Sequence, residues 1–232
     1  MKPTLILALI CVLIRGACAA ETAPADQVRT AVTAIKAATN YSWTTTLKIA
    51  NSPFDPGPIK GQTEKAGFAM VTQQLGDNNL EAVFKGDKIV MKREGHWETP
   101  DPSDFFMSMA ATWITRMGPA GDEAASLIAR AKELKADNGA LAGDLSEAGV
   151  KELLNFGPRD GGFPPPTNAH GSVRFWLKDG ALVKFESHLA AKMVGPNQES
   201  FDFDMTRTTA VEAVGSTKVG IPAEAKHKLE SK

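Results

Sequence analysis

The sequence predicts an α+β protein built on a curved antiparallel β-sheet, an open half-barrel with helices covering its concave face. Three observations carry this: two hairpins with two-residue turns, strands that are partly apolar on both faces, and a helical block between the hairpins. The composition agrees. A chain of 232 residues that is 43% hydrophobic and 23% charged has enough apolar side chains for a sizeable core. Lys plus Arg number 26 against 27 for Asp plus Glu, so there is no basic footprint for nucleic acid, and no nucleic-acid partner is expected.

The first 19 residues read as a secretory signal peptide. Lys2 gives a positive start, Leu5 to Ile14 are apolar without interruption, and Ala17, Cys18 and Ala19 form a small-residue cleavage site. The apolar run falls short of the roughly 20 residues that span a bilayer, and Arg15 ends it. The chain is therefore expected to be exported, periplasmic or secreted, with membrane contact at most peripheral. Both cysteines, Cys11 and Cys18, leave with the signal, so stability has to come from core and sheet without disulfides. The alternative is lipidation at Cys18 behind Gly16 and Ala17, which would tether the protein; Arg15 stands where a lipobox has an aliphatic residue. Residues 20–232 show no repeat and no linker, and read as one domain.

A helix opens that domain from Asp26 to Ala38, with Val28, Val32 and Ile35 on one stripe. Tyr41 to Ile49 alternates as a strand, with Tyr41, Trp43 and Thr45 on one face, and strand character continues from Gln62 to Gln74. Asn51 to Gly61 and Phe156 to Gly171, rich in Pro and Gly, read as loops. In LEAVFKGDKIVMKR, Gly86 and Asp87 suit a type II′ turn pairing Phe84 with Ile89, Val83 with Val90 and Ala82 with Met91; a Glu81–Lys92 pair adds about 0.2 to 1 kcal/mol. In SVRFWLKDGALVKFES, Asp179 and Gly180 suit a type I′ turn pairing Leu177 with Leu182, Trp176 with Val183 and Phe175 with Lys184. Phe201, Phe203 and Met205 alternate with Asp202 and Asp204, and STKVGIP reads as a last strand.

Between the hairpins, a helix capped by Asp101 or Ser103 runs to Met117, a second spans about Asp122 to Asp137, and a third runs from Ser146 to Leu154 with Ser146 as cap. The first carries Phe106, Met109, Ala110, Trp113 and Met117 at helical spacing. Such a stripe serves either as plain core or as a pliable lid over an apolar ligand. On the lid reading the candidate ligand-binding residues are Phe84 and Met91 from the first hairpin, Phe106, Met109, Trp113 and Met117 from the helix, and Phe203 and Met205 from the late strand.

Nothing points to catalysis. There is no G-x-S-x-G elbow, no phosphate-cradling glycine loop and no H-E-x-x-H, and the four histidines (His96, His170, His188, His227) make no pair at metal-ligand spacing. Asp202 and Asp204 read as the solvated face of an alternating strand. No catalytic residue, metal or cofactor is expected, and a Ser, His, carboxylate arrangement assembled in space is left to geometry.

The segments FKGDKIVMKREGHWETP and SVRFWLKDGALVKFES, set in this order of helix, strands, helical insertion and strands, resemble the LolA-like superfamily of envelope lipoprotein and lipid carriers. The resemblance implies an open half-barrel around an apolar cavity that holds lipid or the acyl chains of a lipoprotein, with no chemistry. A structural or interaction module without ligand is the alternative, and a hydrolase a further one. The family's lid-holding arginine matches no position here, so no functional residue carries over.

Overall fold

The computed structural model describes residues 22–52, 56–75, 78–155, 164–195 and 198–231. The expected signal peptide, with Cys11 and Cys18, lies outside them. Helix α1 (Pro24–Ala37) starts with Pro24, whose missing N–H costs nothing in the first turn, and buries Val28, Ala31, Val32 and Ile35. Strand β1 (Asn40–Ile49) then turns Tyr41, Trp43, Thr45 and Leu47 to the core. A meander follows through β2 (Ile59–Glu64), β3 (Phe68–Leu75), β4 (Asn78–Lys85), β5 (Lys88–Arg93) and β6 (His96–Glu98). Helices α2 (Phe105–Met117) and α3 (Ala120–Arg130) come next, then β7 (Lys135–Asp137), β8 (Ala140–Asp144) and α4 (Glu147–Leu153). Three long strands, β9 (Thr167–Lys178), β10 (Ala181–Val194) and β11 (Ser200–Glu212), and α5 (Ala223–Glu230) complete the chain.

The strands form one antiparallel sheet in the order β6-β5-β4-β3-β2-β1-β11-β10-β9-β8-β7. Two meanders are thus joined at the middle, where first and last strands pair, with Thr45 opposite Thr209 and Leu47 opposite Arg207. The two threonine hydroxyls hydrogen-bond at 2.8 Å in the buried centre of the sheet. The edges, β6 and β7, are three residues each, a length that discourages pairing with other chains. They do not pair with each other, so the half-barrel stays open, and a sheet of eleven strands curls. The connection from β6 to β7 must cross from one edge to the other. That crossing is made by α2 and α3, and it places them over the concave face.

The main core lies there, between the sheet and α1 to α4. A second, smaller core lies on the other face, where Ala225 and Leu229 of α5 cover Phe68, Val83, Val90 and Trp97. This explains why the first hairpin is apolar on both sides: Phe84 and Met91 face the main core, Val83 and Val90 the small one.

Several local readings are found as expected. Phe84, Val83 and Ala82 pair with Ile89, Val90 and Met91, Gly86 has φ +59°, and Lys92 reaches Glu81 at 3.0 Å. Ser146 caps α4 by accepting from Gly149 N–H at 3.1 Å. Others need correction. The second hairpin has its type I′ turn, with Asp179 and Gly180 both at positive φ, but a bulge at Val183 sets Lys184 opposite Trp176 and Phe185 opposite Phe175. The extra residue brings two phenyl rings together in the core, centroids 6.4 Å apart, and leaves Lys184 over the Trp176 ring outside at 3.6 Å. The cap of α2 is Asp104, which accepts from Met107 N–H at 3.0 Å, while Asp101 is occupied by Ser103.

The helix expected over 122–137 stops at Arg130, because Asn138 and Gly139, both at positive φ, form the turn of a β7–β8 hairpin. The loops read at 51–61 and 156–171 are shorter, since Ile59 to Gly61 belong to β2 and Thr167 to Gly171 to β9; residues 53–55 and 156–163 lie outside those described. STKVGIP is not a strand. Both sides of β1 are already paired, Ala213 and Gly215 turn the chain at positive φ, and Asn40 Oδ1 holds Thr217 N–H at 2.8 Å, sending the chain across to form α5.

Candidate functional site

A cavity of about 330 Å³ lies between the concave face of the sheet and helices α2, α3 and α4. The sheet supplies Phe84 from β4, Ser187 and Leu189 from β10, and Met205 and Arg207 from β11. The helices supply Trp113 and Thr115 from α2, Glu123 and Leu127 from α3, and Leu153 from α4. The turn residues Gly67, Gly86 and Asp87 and the α2–α3 link, Gly118 and Pro119, border it. Alternation puts the sheet residues there: on β11 the period of two that turns Met205 inward also turns Arg207 and Thr209 inward.

Three of the eight candidate residues, Phe84, Trp113 and Met205, come together at this cavity. Met91 is fully buried in the adjoining core, and Phe203 packs against that core farther along β11; neither lines the cavity. Met109 is 52% exposed on the outer side of α2 and does not reach it. The side chains of Phe106 and Met117 lie outside those described.

Sequence reasoning missed the polar centre. Arg207 on β11 and Glu123 in the first turn of α3 form an ion pair through Nη2 and Oε2, with side chains only 12% and 11% exposed. Burial pushes the Glu123 carboxyl above its usual range, and the adjacent guanidinium opposes but does not cancel that effect. Nε of Arg207 is buried, and among the described residues nothing accepts its proton. Ser187 lies directly opposite Arg207 on the neighbouring strand, buried and facing the same cavity. The signal was present in the sequence: continuing the alternation Phe203, Met205 by one step places a charged residue on the inner face. Its partner on α3 could not be read locally.

Tyr41 anchors the same helix. Its hydroxyl accepts from Gly121 N–H at 3.0 Å, and burial pushes the phenol up to about 12. Lys36 of α1 holds Asp122 at 2.8 Å. The N-terminus of α3 is thus fixed to α1, β1 and β11.

On the outer face, Ser172 stands opposite His188, whose Nε2 lies 3.1 Å from Asp204 Oδ1. Asp204 stands opposite Ala190, two residues along β10 from His188, and Ser172 makes no hydrogen bond to His188. Among the described residues no group of three or more His, Cys, Asp or Glu could hold a metal ion, and no helix is long and apolar enough to cross a membrane.

No family model matches the chain, and no curated protein matches it. Among solved structures it is similar to the crystal structure of LprF from Mycobacterium bovis, at 11% identity over 87% of this chain and 97% of that one, with a TM-score of 0.45. It is also similar to the LolA superfamily protein NE2245 from Nitrosomonas europaea, at 6% identity over 91% of this chain and 99% of that one, with a TM-score of 0.35.

Proposed function

We propose that this chain is an exported envelope protein that binds an apolar ligand, a lipid or the acyl chains of a lipoprotein, in the cavity between sheet and helices. The observation that carries the reading is that cavity, floored by Phe84, Leu189 and Met205 and roofed by Trp113, Leu127 and Leu153. Its volume lies at the low end of the usual range for small-molecule sites. Binding draws on burial, at about 25 cal/mol per Å² of apolar surface removed from water, and needs no bond making. The protein acts as a carrier and not as an enzyme; Ser172, without a hydrogen bond to His188, is not an activated nucleophile. Export rests on residues 1–19.

The test is mass spectrometry of organic extracts from the purified protein, together with titration of a neutral apolar fluorophore. Copurifying lipid and saturable probe binding are the expected results. If no lipid copurifies and the probe does not bind, the carrier reading is lost and a module without ligand takes its place. Intact-mass measurement of the exported chain distinguishes cleavage after Ala19 from lipidation at Cys18.

A further inference from the structure

The cavity has a polar centre in an otherwise mostly apolar floor, and that centre has a definite valence. Arg207 and Ser187 are register neighbours on β11 and β10, both turned inward. Glu123 takes Nη2 of the guanidinium, whereas Nε has no acceptor among the described residues. Buried donors in native proteins are nearly always paired, so a donor left over beside a ligand cavity calls for an acceptor from the ligand. The charge is already settled. Glu123 neutralises Arg207, Lys36 neutralises Asp122, and Asp87 also borders the cavity. An anionic head would meet carboxylates, and among the described residues the one cation lining the cavity, Arg207, is already paired, whereas a neutral oxygen would accept without adding charge.

We propose that the cavity takes its ligand through a neutral carbonyl oxygen, as in an acyl ester, with Arg207 and Ser187 as donors and the acyl chain lying over Phe84, Leu189 and Met205. The inference rests on the carrier reading and deepens it by naming the ligand's polar chemistry. Nε is covered from solvent, so the carbonyl meets it as the chain enters and the guanidinium turns on its contact with Glu123. Ester-linked acyl chains satisfy this requirement. A free fatty acid, ionised at neutral pH, and a plain alkane do not.

The experiment is displacement of N-phenylnaphthylamine from the delipidated full chain at neutral pH by methyl laurate, laurate and dodecane, which share a chain length and differ in the head. Methyl laurate should bind about tenfold more tightly than either of the others, the worth of one well-made hydrogen bond to a charged donor. In the double variant Arg207→Met with Glu123→Gln the ester should lose its preference and bind no more tightly than dodecane, and saturable dodecane binding by the variant shows that the cavity is intact. Should that variant fail to fold, Arg207→Lys, which keeps a cation for Glu123 and lacks Nε, should lower the ester preference several-fold, and Ser187→Ala should do the same. Equal binding of methyl laurate and dodecane to the native chain overturns the inference, as does laurate binding as tightly as its ester. If the fluorophore itself does not bind, the carrier reading fails and not merely the choice of head.

Discussion

Tyr41 shows how one side chain fixes a helix to a strand. Its ring lies in the core beside Trp43, and its oxygen takes the N–H of Gly121 at the start of α3. Tyr41→Phe keeps the ring and orphans that N–H, so it should cost about 1–3 kcal/mol in urea unfolding. Gly61 is a second case. It lies across from Trp43 on β2, and a β-carbon there would sit 2.1 Å from the indole ring, so Gly61→Ala should destabilise by about 1–3 kcal/mol or more through displacement of the tryptophan. Glu123 is a third, with a pH dependence of definite sign. Its carboxyl binds a proton more readily in the folded chain than in the unfolded one, so its contribution to stability is complete below the ordinary value of 4.5 and is lost as pH rises through the raised one. Glu123→Gln abolishes that slope. Chemical unfolding at several pH values should show the variant gaining on the native protein as pH rises.

Among the elements, α2 and α3 carry the cavity roof, and they differ in how they are held. The start of α3 is tied by Tyr41, by Lys36 through Asp122, and by Arg207 through Glu123. The roof contribution of α2 comes through Trp113, while Met109 on the same helix faces solvent. Trp113→Ala should therefore weaken binding of the apolar fluorophore by tenfold or more, whereas Met109→Ala should leave it within about twofold; the reverse order would remove α2 from the site. The Val183 bulge is the sheet's counterpart. It was invisible to local pairing because the Asp179–Gly180 turn fixes only the first pair, and the gain from setting Phe185 against Phe175 appears only once both rings have a core to enter.

At the scale of the whole molecule, the sheet carries two cores on opposite faces, and the cavity belongs to one of them. The small core under α5 holds Phe68, Val83, Val90 and Trp97, with Lys226 reaching Glu64 at 2.7 Å on its rim. Leu229→Ala should cost about 2–5 kcal/mol in stability and leave fluorophore affinity unchanged, since nothing of α5 faces the cavity. A parallel loss of affinity would mean that the two faces are coupled through the first hairpin.

What the sequence determined by itself was local. Two-residue turns at Gly86–Asp87 and Asp179–Gly180 specify hairpins because few residues tolerate positive φ, and period-two or helical spacing specifies which side of each element is buried. The same rules, carried further, would have found the Asn138–Gly139 hairpin and the inward Arg207. Tertiary structure alone decided the rest. That β1 pairs with β11, that α5 lies on the far face, and that Glu123 meets Arg207 inside the cavity are contacts between distant segments, whose energy exists only when the intervening chain has folded. The candidate residues divide along that line. Burial of Phe84, Met91 and Met205 follows from their alternation, whereas which of them lines a cavity depends on the layer that covers them, and no periodicity contains that layer.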